Sequence, residues 1–168
     1  MRRLTAALLA TSIIVAVPAS GQIITGGQNA ATLAVLATTT PASPSATSST
    51  GAFKMMGLGA NCFITPSSSG VVILNIQGSV KNTNAGDGYN LQLAYGTVGG
   101  GAPSNGATAT GTVVGSELSG LASTVPFSLT VVVTGLSVGV AYYWDAQLES
   151  VTANSAQILS VTCSGAEI

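Results

Sequence analysis

Residues 126–149 constrain the fold more than any other stretch, because two runs of strict alternation meet there across a short joint. Phe127, Leu129, Val131 and Val133 alternate with Ser128, Thr130, Val132 and Thr134. Beyond the joint, Tyr142, Trp144, Ala146 and Leu148 alternate with Tyr143, Asp145, Gln147 and Glu149. A period of two over four or more residues is the pattern of a strand with one buried face. The spacing predicts two strands joined by a sandwich corner over 136–142. Tyr142 and Trp144 then belong to the structural core, since they share a face with Ala146 and Leu148. Tyr143, Asp145 and Glu149 fall on the face expected to meet solvent.

The rest of the chain supplies partners for this pair. Residues 70–82 alternate clearly, with Val72, Leu74, Ile76, Gly78 and Val80 on one side. Asn, Asp and Gly dominate 82–88, which is turn chemistry. A strand follows over 89–97 with Tyr89, Leu91, Leu93 and Tyr95 inward. Residues 98–107 form a glycine-rich loop, 108–116 a weak edge strand, 117–125 a connector, and 156–166 the last strand. Residues 53–66 read as a first strand broken at Gly57 and Gly59. The expectation is an all-β fold: one antiparallel β-sandwich or jelly roll of about seven to eight strands over 51–168.

Two segments precede that domain. Arg2 and Arg3 followed by an apolar run over 4–17 and small residues at Val17 and Ala19 match a signal peptide. Cleavage fits after Ala19, with Ser20 and Gly21 as close alternatives; an uncleaved apolar arm that packs on a neighbouring subunit is the other reading of 1–22. The run is too short and too interrupted by Thr and Ser for a stable membrane span. Residues 23–50, rich in Ser, Thr and Pro, read as an extended linker.

Charge excludes several functions. Charged residues make up only 5% of the chain and there is no histidine. Beyond residue 22, Lys54 and Lys81 face five acidic residues, a net charge of −3. Nucleic-acid binding needs clustered basic residues, so no nucleic-acid partner is expected. Without histidine, Ser-His-Asp and Cys-His catalysis are excluded. Asp145 and Glu149 sit about 13 Å apart along a strand at roughly 3.3 Å per residue, too far for a glycosidase pair. Asp87 beside Asn82 and Asn84 is a weak calcium ligand set and a good turn. The glycine runs lack GxxxxGK[ST]. No catalytic residue, metal or cofactor is expected, and the chain does not read as an enzyme. Surface contacts are assigned to the loops, at Asn82, Asn84, Asp87 and Asn105.

Cys62 and Cys163 lie in the first and last strands, which are neighbours in many sandwiches. A disulfide between them closes a loop of about a hundred residues, for which chain entropy gives roughly 4–5 kcal/mol. Two buried free thiols are the alternative.

Leu136, Gly139 and Tyr142 resemble the E–F corner of fibronectin type III domains, with Val138 where that corner usually has proline. A broader likeness runs over 51–168. Met55, Met56, Gly57 and Leu58 precede Ile64, Thr65 and Pro66; Gly86, Asp87 and Gly88 lead to 93–97; Pro103, Asn105, Gly106 and Ala107 precede Thr110, Gly111 and Thr112. Tyr143, Trp144 and Asp145 follow the corner, and the chain ends in Glu167 and Ile168. In this the chain resembles small β-sandwich domains of phage and prophage tail-fibre or virion-surface proteins. The resemblance implies a non-enzymatic structural protein of a virion surface (a fibre, head-fibre or decoration protein) acting in assembly or host attachment. Its partners would be itself, as a homotrimer, other virion or cell-surface proteins, and a glycan receptor. The export signal points instead to a secreted bacterial adhesion or carbohydrate-binding module. Both readings place the chain outside the cell.

Overall fold

The computed structural model describes residues 35–84, 87–114, 118–120, 124–152 and 154–168. The reading of residues 1–22 as a signal peptide or anchoring arm, and the part of the linker before Val35, lie outside the described residues.

Five long strands carry the fold: β4 (Val72–Asn82), β5 (Tyr89–Thr97), β8 (Val125–Val133), β9 (Tyr142–Ser150) and β10 (Ala156–Glu167). Shorter segments are β1 (Val35–Thr39), β2 (Lys54–Met55), β3 (Phe63–Ile64), β6 (Thr112–Val113) and β7 (Leu118–Gly120), with a 3₁₀ turn at Leu58–Ala60. One sheet runs β1-β10-β4-β8. The other runs β2-β9-β5-β6, with β3 also on β9 and β7 also on β5. Every pairing between these strands is antiparallel. Since β2 and β3 share one edge of β9, and β6 and β7 share one edge of β5, each pair is one interrupted strand. The fold is therefore an eight-stranded, two-sheet jelly roll. No helix among the described residues is long and apolar enough to cross a membrane.

Alternation explains the core. Val72, Leu74, Ile76 and Val80 of β4, Phe127, Leu129 and Val133 of β8, and Ile158, Val161 and Cys163 of β10 line one wall. Leu91 and Leu93 of β5 and Trp144, Ala146 and Leu148 of β9 line the other. Trp144 spans the gap between them. It belongs to β9, yet its Nε1–H donates to the Asn75 carbonyl of β4 at 3.2 Å. Gly165 of β10 makes room for it: a Cβ there would lie 2.8 Å from the indole Cη2. The corner is closed by Tyr142, whose hydroxyl accepts the Ser137 N–H at 3.0 Å, with Gly139 at φ +80°.

Four expectations change. The strand predicted over 53–66 is two residues at each end, separated by the turn at Leu58–Ala60; left-handed Gly57 (φ +73°) precedes that turn. The weak strand at 108–116 shrinks to β6, and the connector after it contributes β7. Residues 38–50 are not a free spacer. Thr47 exchanges both backbone hydrogen bonds with Ala156, the Ser43 hydroxyl donates to Leu159 O at 2.5 Å, and Ser49 O accepts the Ser150 N–H. With β1 paired to β10 from Val35 onward, the described domain starts before residue 51. Finally, β9 has no wet face: Tyr143, Asp145 and Gln147 are as buried as their inward neighbours. Residues 53–66 and the loop before β6 form a third layer over it. A Cβ at Gly59 would touch both Ala102 and Tyr143 at 3.0 Å, and Gln147 Nε2 donates to Thr110 O at 2.8 Å.

Candidate functional site

The polar groups that sequence reading assigned to the surface divide into those the fold uses and those it leaves at the surface. Asp145, expected in solvent, is 0% exposed. Its two oxygens accept the Gly57 N–H at 2.8 Å and the Leu58 N–H at 3.1 Å, so the carboxylate caps the 3₁₀ turn. Burial pushes its pKa up to about 7, although the backbone N–H groups of Leu58 and Gly57 resist the shift. Burial also raises the neighbouring Tyr143 phenol, with help from the Asp145 charge. Tyr143, expected as an exposed contact, lies beneath Gly59, Gly96 and Gly111. Glu149, expected in solvent too, is half-buried and accepts from Asn90 Nδ2 at 2.6 Å.

Glu167 is the functional-looking carboxylate that sequence reading missed. It ends β10 and is buried in a socket made by Ser67, Ser68, Ser69 and Gly70. One oxygen accepts the Ser67 N–H at 2.7 Å and its hydroxyl at 2.9 Å. The other accepts the N–H groups of Ser68, Ser69 and Gly70 at 2.9, 2.5 and 3.0 Å, and the Ser69 hydroxyl at 3.1 Å. Burial works against the charge here as well, but the donors of Ser67, Ser68 and Gly70 prevail and hold the pKa well below the usual carboxylate range. A run of three serines and a glycine between strands was the only signal available for such an anion socket.

Cys62 and Cys163 are joined, with an S–S distance of 2.10 Å and both residues fully buried. Cys62 follows the turn that Asp145 caps, and Cys163 lies four residues before Glu167 on β10. The bond therefore ties the two sheets together across the core.

The loop residues separate. Asn82 is not a surface contact: it is 2% exposed, and its amide donates to Gly88 O and Ser150 Oγ, both at 3.0 Å. Its Oδ1 accepts the Asn84 N–H at 3.2 Å, which shapes the turn. Asn84 is exposed and Asp87 half-buried. The Asp87 pKa is lowered, most by the nearby Thr152 side chain; burial opposes the shift, and Asn154 and Asn84 add smaller lowering effects. Asn105 is exposed in a different loop, where its amide donates to Met56 O at 3.2 Å and Ser45 O at 3.4 Å. Among the described residues, no group of three or more His, Cys, Asp or Glu side chains converges as a metal site.

Two concavities stand out among the described residues. A groove of about 690 Å³ crosses the outer face of the β1-β10-β4-β8 sheet, lined by Pro41, Gln77, Ser79, Pro126, Ser160 and Thr162 among others. This face is hydroxyl and amide in register: Asn75 Nδ2 donates to Thr130 Oγ1 at 2.8 Å, and the Ser79 and Ser160 hydroxyls meet at 3.0 Å. A smaller groove of about 370 Å³ lies between residues 45–49, Lys54, Met56 and Asn105.

No protein-family model matches this chain, and neither does any curated protein.

Proposed function

We propose that the chain is a non-enzymatic structural protein of a virion surface, a fibre, head-fibre or decoration protein acting in assembly or host-surface attachment. One observation carries this reading: the acidic groups that most resemble catalytic equipment hold the fold's own loops. Asp145 caps the turn at Leu58–Ala60 and Glu167 fills the serine socket, so neither carboxylate faces a cleft. Among the described residues the outward surface is largely uncharged, with hydroxyl and amide groups beside exposed valines, and is suited to contact with other copies, with virion proteins or with a glycan. A homotrimer is the assembly this reading favours. The test is light scattering on the purified chain together with co-sedimentation on virions. A trimer that sediments with particles supports the proposal; a strict monomer that never does so contradicts it.

A second reading has its own support. A buried disulfide between the sheets is characteristic of proteins matured in an oxidising compartment. Together with the signal-like start, it favours an exported bacterial adhesion or carbohydrate-binding module. The mature N-terminus, measured by mass spectrometry on protein from its native host, separates the two. Cleavage near Ala19 favours export, and an intact Met1 or Arg2 start favours the virion arm.

A further inference from the structure

The smaller groove brings a lysine, serine hydroxyls and an asparagine together. Lys54 is the basic residue that lines it, and the lining holds no carboxylate. On the strand beside it, the Glu149 carboxylate, next in sequence to Leu148, the register partner of Lys54, accepts from Asn90 Nδ2. Ser45 and Ser48, both exposed, add hydroxyls to the lining. Asn105, also exposed, donates its amide N–H to Met56 O and Ser45 O, and its side-chain oxygen adds an acceptor to the lining. Met56 and Gly106 complete the lining.

The walls are fixed before any ligand arrives. Thr47 is locked to Ala156, the Ser49 N–H donates to Thr47 Oγ1 at 3.2 Å, and the Ser49 hydroxyl donates to Ala52 O at 2.7 Å. Gly106 N–H donates to Met55 O at 2.9 Å. Asn105 presses so close to Gly57 that a Cβ there would lie 2.6 Å from the Asn105 nitrogen. Through Gly57, the groove stands on the turn that Asp145 caps. Such preorganisation lowers the ordering cost of binding.

From this we infer that the groove is a subsite for a saccharide bearing a carboxylate. One ammonium matches one carboxylate. Hydroxyls and an amide oxygen match the ring hydroxyls, and about 370 Å³ suits one or two sugar rings. A polyphosphate would need several cations, and a neutral sugar would leave Lys54 unmatched. The inference rests on the attachment reading only for where such a sugar would be met.

The experiment is an amide-resonance titration of the full, disulfide-intact chain with trigalacturonate. Maltotriose serves as the neutral control and inorganic phosphate as the bare-anion control. Shifts confined to 45–49, 54 and 105–106, produced at millimolar trigalacturonate and not by either control, support the subsite. Lys54→Gln should weaken that binding roughly three- to tenfold, the range of a partly exposed charge-assisted contact, with Tm unchanged. Raised salt should weaken it as well. Equal shifts with phosphate, or binding that Lys54→Gln leaves intact, overturn the saccharide assignment, as does the lack of any shift in this groove. A chain that binds trigalacturonate here but neither sediments with virions nor is exported would refute the proposed function and leave the subsite standing.

Discussion

Asp145 and Glu167 are both buried carboxylates, and their surroundings drive their charge in opposite directions. Both carboxylates are nearly inaccessible, and both fasten a loop through backbone N–H groups. Asp145 receives two close N–H donors, from Gly57 and Leu58; its desolvation prevails and the pKa climbs to about 7. Glu167 receives four N–H groups and two hydroxyls, and its pKa falls. Desolvation is the largest single effect at both carboxylates; at Asp145 it outweighs the backbone donors, and at Glu167 the donors together outweigh it. One clasp is therefore strongest in mild acid and the other once its carboxylate is charged.

The largest effect should come from cutting the bond that connects the two clasps. Cys62→Ala with Cys163→Ala should cost about 4–5 kcal/mol in urea unfolding, given a sequence separation of 101. Near-native stability in the double variant would mean that the clasps hold the sheets without it. Next, Glu167→Ala at pH 7 leaves the serine socket without its acceptor and should cost about 3 kcal/mol, since each buried donor left unpaired costs roughly 1–3 kcal/mol and part of the loop can turn to water. Hydrogen exchange should show the 67–70 amides losing protection first. If they do not, Glu167 is not what orders that loop. Tyr142→Phe removes one neutral hydrogen bond at the corner and should cost only about 1 kcal/mol, which sets the scale for an uncharged fastening.

Much of this was legible in the sequence because strands report their faces locally. The alternation in 70–82, 89–97 and 126–149 located four long strands, and 156–166 located the last. Tyr142 and Trp144 fell inside for the same reason. What the pattern cannot report is a second covering. β9 reads as a strand with one polar face, but residues 53–66 and the loop before β6 bury that face, so Asp145 and Gln147 became internal fasteners. The Glu167 socket was hidden for a different reason. Its partners lie about a hundred positions away, and a triple serine looks the same whether it binds water or a carboxylate. Asn82 was misplaced because Asn shapes turns equally well from inside and outside. Residues 38–50 looked like a spacer since their attachment to β10 uses backbone and hydroxyl groups, which leave no apolar periodicity.

The most direct test of the two-clasp account is unfolding free energy measured by urea from pH 3 to 8 for the native chain, Asp145→Asn and Glu167→Gln. Asp145 has a folded pKa raised above its unfolded value of 3.8, so its proton binds more tightly to the folded state. Its contribution is full below pH 3.8 and lost as pH rises through about 7. Glu167 has a folded pKa below its unfolded 4.5, so its contribution is present above pH 4.5 and lost as pH falls through the lower folded value. The native chain should therefore be most stable near pH 4–5 and weaken on either side. Asp145→Asn should flatten the decline toward pH 7, and Glu167→Gln should flatten the decline toward pH 3. A native curve that rises steadily from pH 5 to 8, or an alkaline decline that persists in Asp145→Asn, would contradict the account.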